Sequence, residues 1–338
     1  MINQSALDAA LSTKENVDLL LSYSRVSDFD RNGPSALITR VKEESQALKK
    51  GSLVDDLLFS KETFDDKYYV SVFEEPTASL GVLAKIILKN FNTIPSKEVI
   101  ENLISINDLW TSIKDPSKKK AKWDLPSFYG YLTSQFASSE KTLVTRDEIS
   151  LAEHTVETLR THKFSKDLFS EEFQHVYQHP FTIEIRQFTF RGFIDIITID
   201  HDKKIVYLKD LKTGGGPSAE FTSSFIKWRY YLQEAVYSLA FEQICKDLGL
   251  EGYTQAPFEF VYIGFKEQIP VRYIVTPTWH DAALNGFKTS GGYIYKGLYE
   301  LIDEIYFHWK NQIYDLPMSV YVNNGAIDLD DSFINTSK

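Results

Sequence analysis

The chain has 338 residues, enough to bury a substantial core in one large domain with insertions or in two smaller ones. Hydrophobic residues make up 43% and charged residues 25%, an ordinary globular balance, and no apolar run approaches the ~20 residues that a bilayer span needs. The net charge of -10 argues against a general nucleic-acid coating protein, and a single cysteine, Cys245, excludes both an internal disulfide framework and a four-cysteine metal site within one chain.

The opening MINQSALDAALSTKENVDLLL has no basic segment ahead of an apolar stretch, so the expectation is a cytoplasmic protein without a secretory signal. Residues 1–60 read as helices: an opening segment to about Leu21, then SYSRVSDF, then VKEESQALKKGSLVDDLLFS, with Gly33-Pro34 breaking the pattern between them. Residues 78–165 also read as helical, with turns near Pro95 and Pro116 and a lysine run at 118–122 that suits a solvated turn or a phosphate-contacting loop. The character changes after about Lys166. HVYQHPFTIEIRQFTFRGFIDIITID is rich in β-branched and aromatic residues with period-2 stretches and reads as two strands, and KKIVYLKDLKT as a third. Residues 218–248 read as one long helix, FEFVYIGF and VRYIVTP as strands, 280–312 as helical, and the tail from Asn323 as loose. The expectation is an α/β fold with a mixed central sheet flanked by helices: a mainly helical region over 1–165 that supplies a first core helix at about 44–60 and a helical insertion, an α/β core over 166–315, and a tail over 316–338.

The chemistry concentrates in RGFIDIITIDHDKKIVYLKDLKTGG. An antiparallel hairpin centred between Asp202 and Lys203 sets Asp195 opposite Asp210, and directly opposed side chains lie ~5 Å apart on one face. Lys212, two residues beyond Asp210, shares that face. Two carboxylates side by side repel, and burying them without a partner is costly. A divalent cation removes both problems, and hard oxygen ligands select Mg2+ or Mn2+ over zinc. Lys212 then orients the nucleophile or stabilises a phosphoryl transition state. The plain alternative is a hairpin with a surface salt bridge; the apolar flanks FIDII and IVYLKDLK count against it.

These residues resemble the PD-(D/E)XK nuclease superfamily: Gly192, Ile194 and Asp195, then about fifteen residues, then Asp210 and Lys212. QEAVY, with Gln233 and Tyr237 four residues apart, looks like the Q-x-x-x-Y element of its RecB-like branch, and Arg229 lies one turn earlier on the expected helix. LSYSRVSDFDRNGPSALI, with Ser24 and Arg25, and ALKKGSLVDDLLFSKETFDDKYYV are similar to the opening segments of RecB-like and RecE-like nucleases. The resemblance implies a restriction-endonuclease-like core, Asp195, Asp210 and Lys212 as the catalytic set, and DNA contacts by Ser24, Arg25, Arg229, Gln233 and Tyr237. It also implies metal ligation by Asp195, Asp210, the Leu211 carbonyl, Glu184 and Asp55. Asp55 stands where the family has histidine, after Gly51, with Asp56 competing for the role. No iron–sulfur cluster is expected, because the cysteines that hold it in some relatives are missing.

The leading expectation is therefore a Mg2+-dependent DNA exonuclease of RecE-like or lambda-exonuclease-like type, of phage or prophage origin. Linear duplex would be its substrate, a strand-annealing protein its partner, and a ring its assembly, with no membrane association. An endonuclease or single-strand nuclease on the same fold stays open, as does a non-catalytic DNA-binding protein with a relic site. KTGGGP lacks the Gly-Lys-Ser/Thr ending of a phosphate loop and reads as a turn beside the site. His175 and His179 fall in a strand-like segment that does not suit a zinc pair, and Cys245 reads as buried and inert.

Overall fold

The computed structural model describes residues 19–39, 46–138 and 140–326. The expectations for the opening helix before Leu19 and for the tail beyond Ala326 lie outside these residues. The chain divides into two compact units, one of residues 49–157 and one of residues 1–48 with 158–338. Where the sequence suggested one boundary near residue 165, the fold has two, and most of the Gln46–Phe59 helix falls in the 49–157 unit.

The 49–157 unit is a helical insertion with a core of its own. Leu83, Ile87, Ile100, Ile104, Trp123, Phe128 and Leu132 gather from the helices Ala78–Asn90, Lys97–Ile106 and Pro126–Ser138 and the segment between them. Two short strands, β1 (Tyr68–Ser71) and β2 (Thr142–Thr145), pair in parallel, which the helical reading of this stretch missed. The lysine run forms the short Pro116–Lys120 helix, capped by Asp115, and the turn after it.

The other unit is built on a mixed sheet of β3 (Gln174–Ile185), β4 (Phe188–Asp200), β5 (Ile205–Gly214), β6 (Thr254–Gln255), β7 (Glu259–Gly264) and β8 (Pro270–Ile274). The order is β3-β4-β5-β7-β8, with β6 also on β5. β3, β4 and β5 form an antiparallel meander; β5 and β7 run parallel, and β8 returns antiparallel. The parallel step requires a crossover, which the helices between Phe221 and Asp247 supply. Helices Tyr23–Asn32, Tyr230–Leu239, Pro277–Asn285 and Leu298–Asn311 contribute to the one large core that the sheet shares. This is the mixed α/β, restriction-endonuclease-like arrangement expected from the sequence. Among the described residues, no helix is long and apolar enough to cross a membrane.

Two expected helices break up. Residues 218–248 form a single 3-10 turn, Ser218–Glu220, and three α-helices, Phe221–Lys227, Tyr230–Leu239 and Phe241–Asp247, the first two helices parted by Arg229, which takes a left-handed φ of +60°. Residues 280–312 form two helices separated by the strand pair β9 (Phe287–Lys288) and β10 (Ile294–Tyr295).

The alternation of β4 also shifts. Its core residues run Phe188, Phe190 and Ile194, then Ile197 and Ile199, so the inward face changes parity between Ile194 and Asp195. Opposite this point Gln178 takes a φ of +49°, and the β3–β4 ladder passes directly from Tyr177↔Ile196 to His179↔Ile194. Like a bulge, the irregularity re-aims a side chain at a sheet position. It sets Asp195 on the same face as Ile197 and Ile199. Next to it, Gly192 accommodates a close ring: a Cβ there would lie 2.6 Å from Phe181 and 3.3 Å from Tyr237. Gly192→Ala is expected to cost about 1–3 kcal/mol in urea unfolding through overpacking; unchanged stability would show that these rings have room to move.

Candidate active site

The hairpin register is the one read from the sequence. Ile196 pairs with Lys209 and Ile197 with Leu208, so Asp195 and Asp210 are the next opposed positions. The β4–β5 ladder ends there. Farther along β4, Leu21 joins the strand edge instead, donating to the Thr189 carbonyl at 2.9 Å and accepting from the Arg191 N–H at 3.0 Å. The two aspartates thus sit where one neighbour of β4 has left and another has not yet arrived.

Each carboxylate oxygen has a partner. Asp195 Oδ1 accepts from the Gln178 amide at 3.0 Å, and Oδ2 from the Leu211 N–H at 2.8 Å. Asp210, 2% exposed, accepts from the Gln233 amide at 2.6 Å through Oδ1 and is ion-paired through Oδ2 with Lys212. Burial alone would pull the Lys212 ammonium below its ordinary value, but the charge of Asp210, helped by Tyr230, Asp195 and Tyr23, holds it well above. Lys212 is therefore a fixed cation at neutral pH rather than a base. Its Nζ lies 4.8 Å from the centroid of the Tyr230 ring, and such a face attracts an ammonium.

Tyrosines close the wall around these groups. Burial, then the Asp210 charge, pushes the Tyr237 phenol far above its usual value. Burial likewise raises Tyr23 strongly, opposed by Lys212. Tyr23 is fastened by its hydroxyl to the Trp228 carbonyl at 2.7 Å, and its ring lies 6.4 Å from that of Tyr230. All three phenols are raised and stay protonated and uncharged at neutral pH.

The donor set fits a hard divalent cation. Two carboxylates and a backbone carbonyl at Leu211 are all oxygen, and Mg2+ is held through one or two carboxylates while it keeps several waters. Among the described residues, no group of three or more His, Cys, Asp and Glu side chains comes together as a cage.

The profile of the PD-(D/E)XK nuclease superfamily matches residues 21–290. The chain belongs to that superfamily. A crystal structure from Eubacterium rectale, described as a "Putative exonuclease", is similar over 98% of this chain and 95% of its own, at 13% identity and a TM-score of 0.45. No curated protein sequence matches the chain.

Within this PD-(D/E)XK nuclease, the structure brings Asp195, Asp210, Leu211, Lys212, Gln233 and Tyr237 together. Gln233, 3% exposed, and Tyr237, 9% exposed, face the carboxylates and the core. Gln233 holds Asp210, and Tyr237 packs edge-on against Phe181 at 5.3 Å. Arg229 lies off the stripe it was expected to share, in the helix break, and its guanidinium is committed to Asp30 and to the carbonyl of Ile226. Arg25 is likewise spent on structure, donating to the carbonyls of Leu20 and Leu37 at 3.3 and 2.7 Å. Ser24 is exposed, its hydroxyl 2.9 Å from that of Ser22.

Glu184 stands apart. Its carboxylate accepts from Thr189 at 2.6 Å near the turn of the β3–β4 hairpin. Six residues along β3 separate it from Gln178, roughly 20 Å of extended strand. Asp55 is half-buried in the Gln46–Phe59 helix of the other unit, while its neighbour Asp56 is taken by Lys67 at 2.5 Å and Tyr68 at 2.6 Å.

Gln178, Tyr23 and Tyr230 are the site residues that the sequence reading missed. The same register arithmetic applied to the β3–β4 hairpin would have placed Gln178 opposite Asp195; nothing local marks the two tyrosines. Because Gln233 orients Asp210, Gln233→Leu is expected to lower metal affinity or cleavage by about 10–100-fold. Isothermal titration with Mn2+ reads the first and cleavage rates the second, and unchanged values for both would remove Gln233 from the site.

Proposed function

We propose that the protein is a Mg2+-dependent deoxyribonuclease, of the RecE-like or lambda-exonuclease-like exonuclease type suggested by its sequence motifs. The observation that carries the reading is the meeting of Asp195, Asp210 and Lys212 at the open end of the β4–β5 ladder. Asp195, Asp210 and the Leu211 carbonyl would hold the cation. Bound there, Mg2+ would lower the pKa of a coordinated water and offset charge on the scissile phosphate. Lys212 supplies a second fixed positive charge for the phosphoryl oxygens as they gain charge. Gln178 and Gln233 keep the carboxylates aimed, and Tyr230 and Tyr23 flank the Lys212–Asp210 pair. Glu184 is given no role.

Linear duplex DNA is the proposed substrate, in the cytoplasm of a host cell if the enzyme serves phage recombination beside a strand-annealing protein. The test uses 5′- and 3′-labelled linear duplex, linear single strand and closed circles, each with Mg2+ or EDTA. Mononucleotide release from one end of linear duplex, abolished by EDTA, is expected. Cutting of closed circles would replace the exonuclease with an endonuclease, and inactivity on every substrate would leave a binding protein. Elution volume on a sizing column reads the ring that the resemblance implies.

A further inference from the structure

Trp228 is the one exposed tryptophan among the described residues, 38% accessible. It follows the Phe221–Lys227 helix as its C-cap, immediately before the left-handed Arg229. Its backbone is pinned: the carbonyl accepts from Tyr23 Oη at 2.7 Å and from Ser27 Oγ at 3.2 Å. Arg229, the next residue, is locked to Asp30. Two residues on, Tyr230 carries the Lys212 ammonium on its ring. A rigid connection therefore holds an exposed indole next to the wall of the active site.

Two cations attend that indole. The Arg31 guanidinium lies 5.1 Å from the ring centroid and Lys227 Nζ 5.0 Å. Arg31 also pairs with Asp28 at 2.6 Å, whereas Lys227 has no acidic partner among the described residues. A tryptophan that serves packing is normally covered; this one offers surface, and positive charge is gathered around it on a chain whose net charge is -10. An aromatic face with flanking cations is the arrangement that takes a nucleobase by stacking and its phosphates by charge.

We propose that Trp228 is a stacking platform for an unpaired base of the DNA strand entering the active site, with Lys227 and Arg31 contacting the adjoining phosphates. The inference rests on the deoxyribonuclease reading and adds to it a residue that positions the strand. It also gives the enzyme a preference for ends that present unpaired nucleotides over flush duplex.

The experiment measures equilibrium binding in EDTA, so that nothing is cut, by fluorescence anisotropy of a duplex with a short single-stranded tail, of the same duplex with abasic residues in the tail, and of a blunt duplex. Trp228→Ala is expected to weaken binding to the tailed duplex on the order of tenfold, and Trp228→Phe to retain most of the affinity. The wild type should lose a similar factor on the abasic tail, and Trp228→Ala should lose nothing further there. Lys227→Ala should reduce the salt dependence of log K by about one unit. Thermal melts of both Trp228 variants exclude misfolding as the cause. Equal affinity of the wild type and Trp228→Ala for the tailed duplex, or a loss in Trp228→Ala that ignores the bases, would overturn the platform and leave the nuclease reading intact. A wild type that neither binds nor cuts DNA of any form would overturn both.

Discussion

Adding Mn2+ or Mg2+ to the metal-free protein is expected to stabilise it, and Asp210→Ala is expected to abolish that response. A cation that binds only the folded state at about 100 times its dissociation constant adds about 2.7 kcal/mol to unfolding. The site is absent from the unfolded chain, because Asp195 and Asp210 are brought together only by the β4–β5 register. Asp210→Ala removes one of the two carboxylates that oppose each other there. Asp195→Ala should behave alike. Cleavage by either variant should fall on the order of 10³-fold or more, since the charge stabilisation and the activated water go together. Urea unfolding with EDTA and with Mn2+ gives the stability, and equal metal-induced stabilisation of Asp210→Ala and the wild type would move the cation elsewhere.

Lys212→Met carries the second large effect, in two directions. Without metal, the Lys212 ammonium is the positive charge that compensates Asp210, which is almost fully buried and lies beside Asp195. Removing it leaves an uncompensated buried carboxylate, which costs roughly 3–5 kcal/mol when a buried pair is broken. Methionine keeps an unbranched apolar stem against the Tyr230 face. A cation can supply the missing charge, so Mn2+ should stabilise Lys212→Met more than it stabilises the wild type. Catalysis should not recover: the loss is expected at about 10²–10³-fold, the scale of removing one donor to developing negative charge. A metal-free variant as stable as the wild type would show that the Lys212–Asp210 pair contributes nothing to the fold.

The centre of the site was legible because two independent signals converge on it. The polar turn around Asp202 and Lys203 determines which strand positions face each other, and the spacing from Asp195 to Asp210 and Lys212 carries the family pattern. What surrounds the centre was less legible, for reasons that differ by residue. A Q-x-x-x-Y stripe says that Gln233 and Tyr237 share a helix face but not which way the face turns. It turns inward, which makes Gln233 a support for Asp210. The break at Arg229 has no glycine or proline to announce it; Asp30, nearly two hundred positions earlier, holds the arginine there. Glu184 was placed by strand order, which carries no distance along the strand. The parity shift at Asp195 depends on the backbone of Gln178, a residue with no local mark of a left-handed conformation.

The proposed metal-dependent cutting of DNA by Asp195, Asp210 and Lys212 stands or falls on one comparison. The most direct measurement is cleavage of labelled linear duplex by purified wild type and Asp210→Ala, side by side, in Mg2+ and in EDTA. Cleavage is expected in one of the four reactions, wild type with Mg2+. Cleavage that survives EDTA, or that persists in Asp210→Ala, would contradict it.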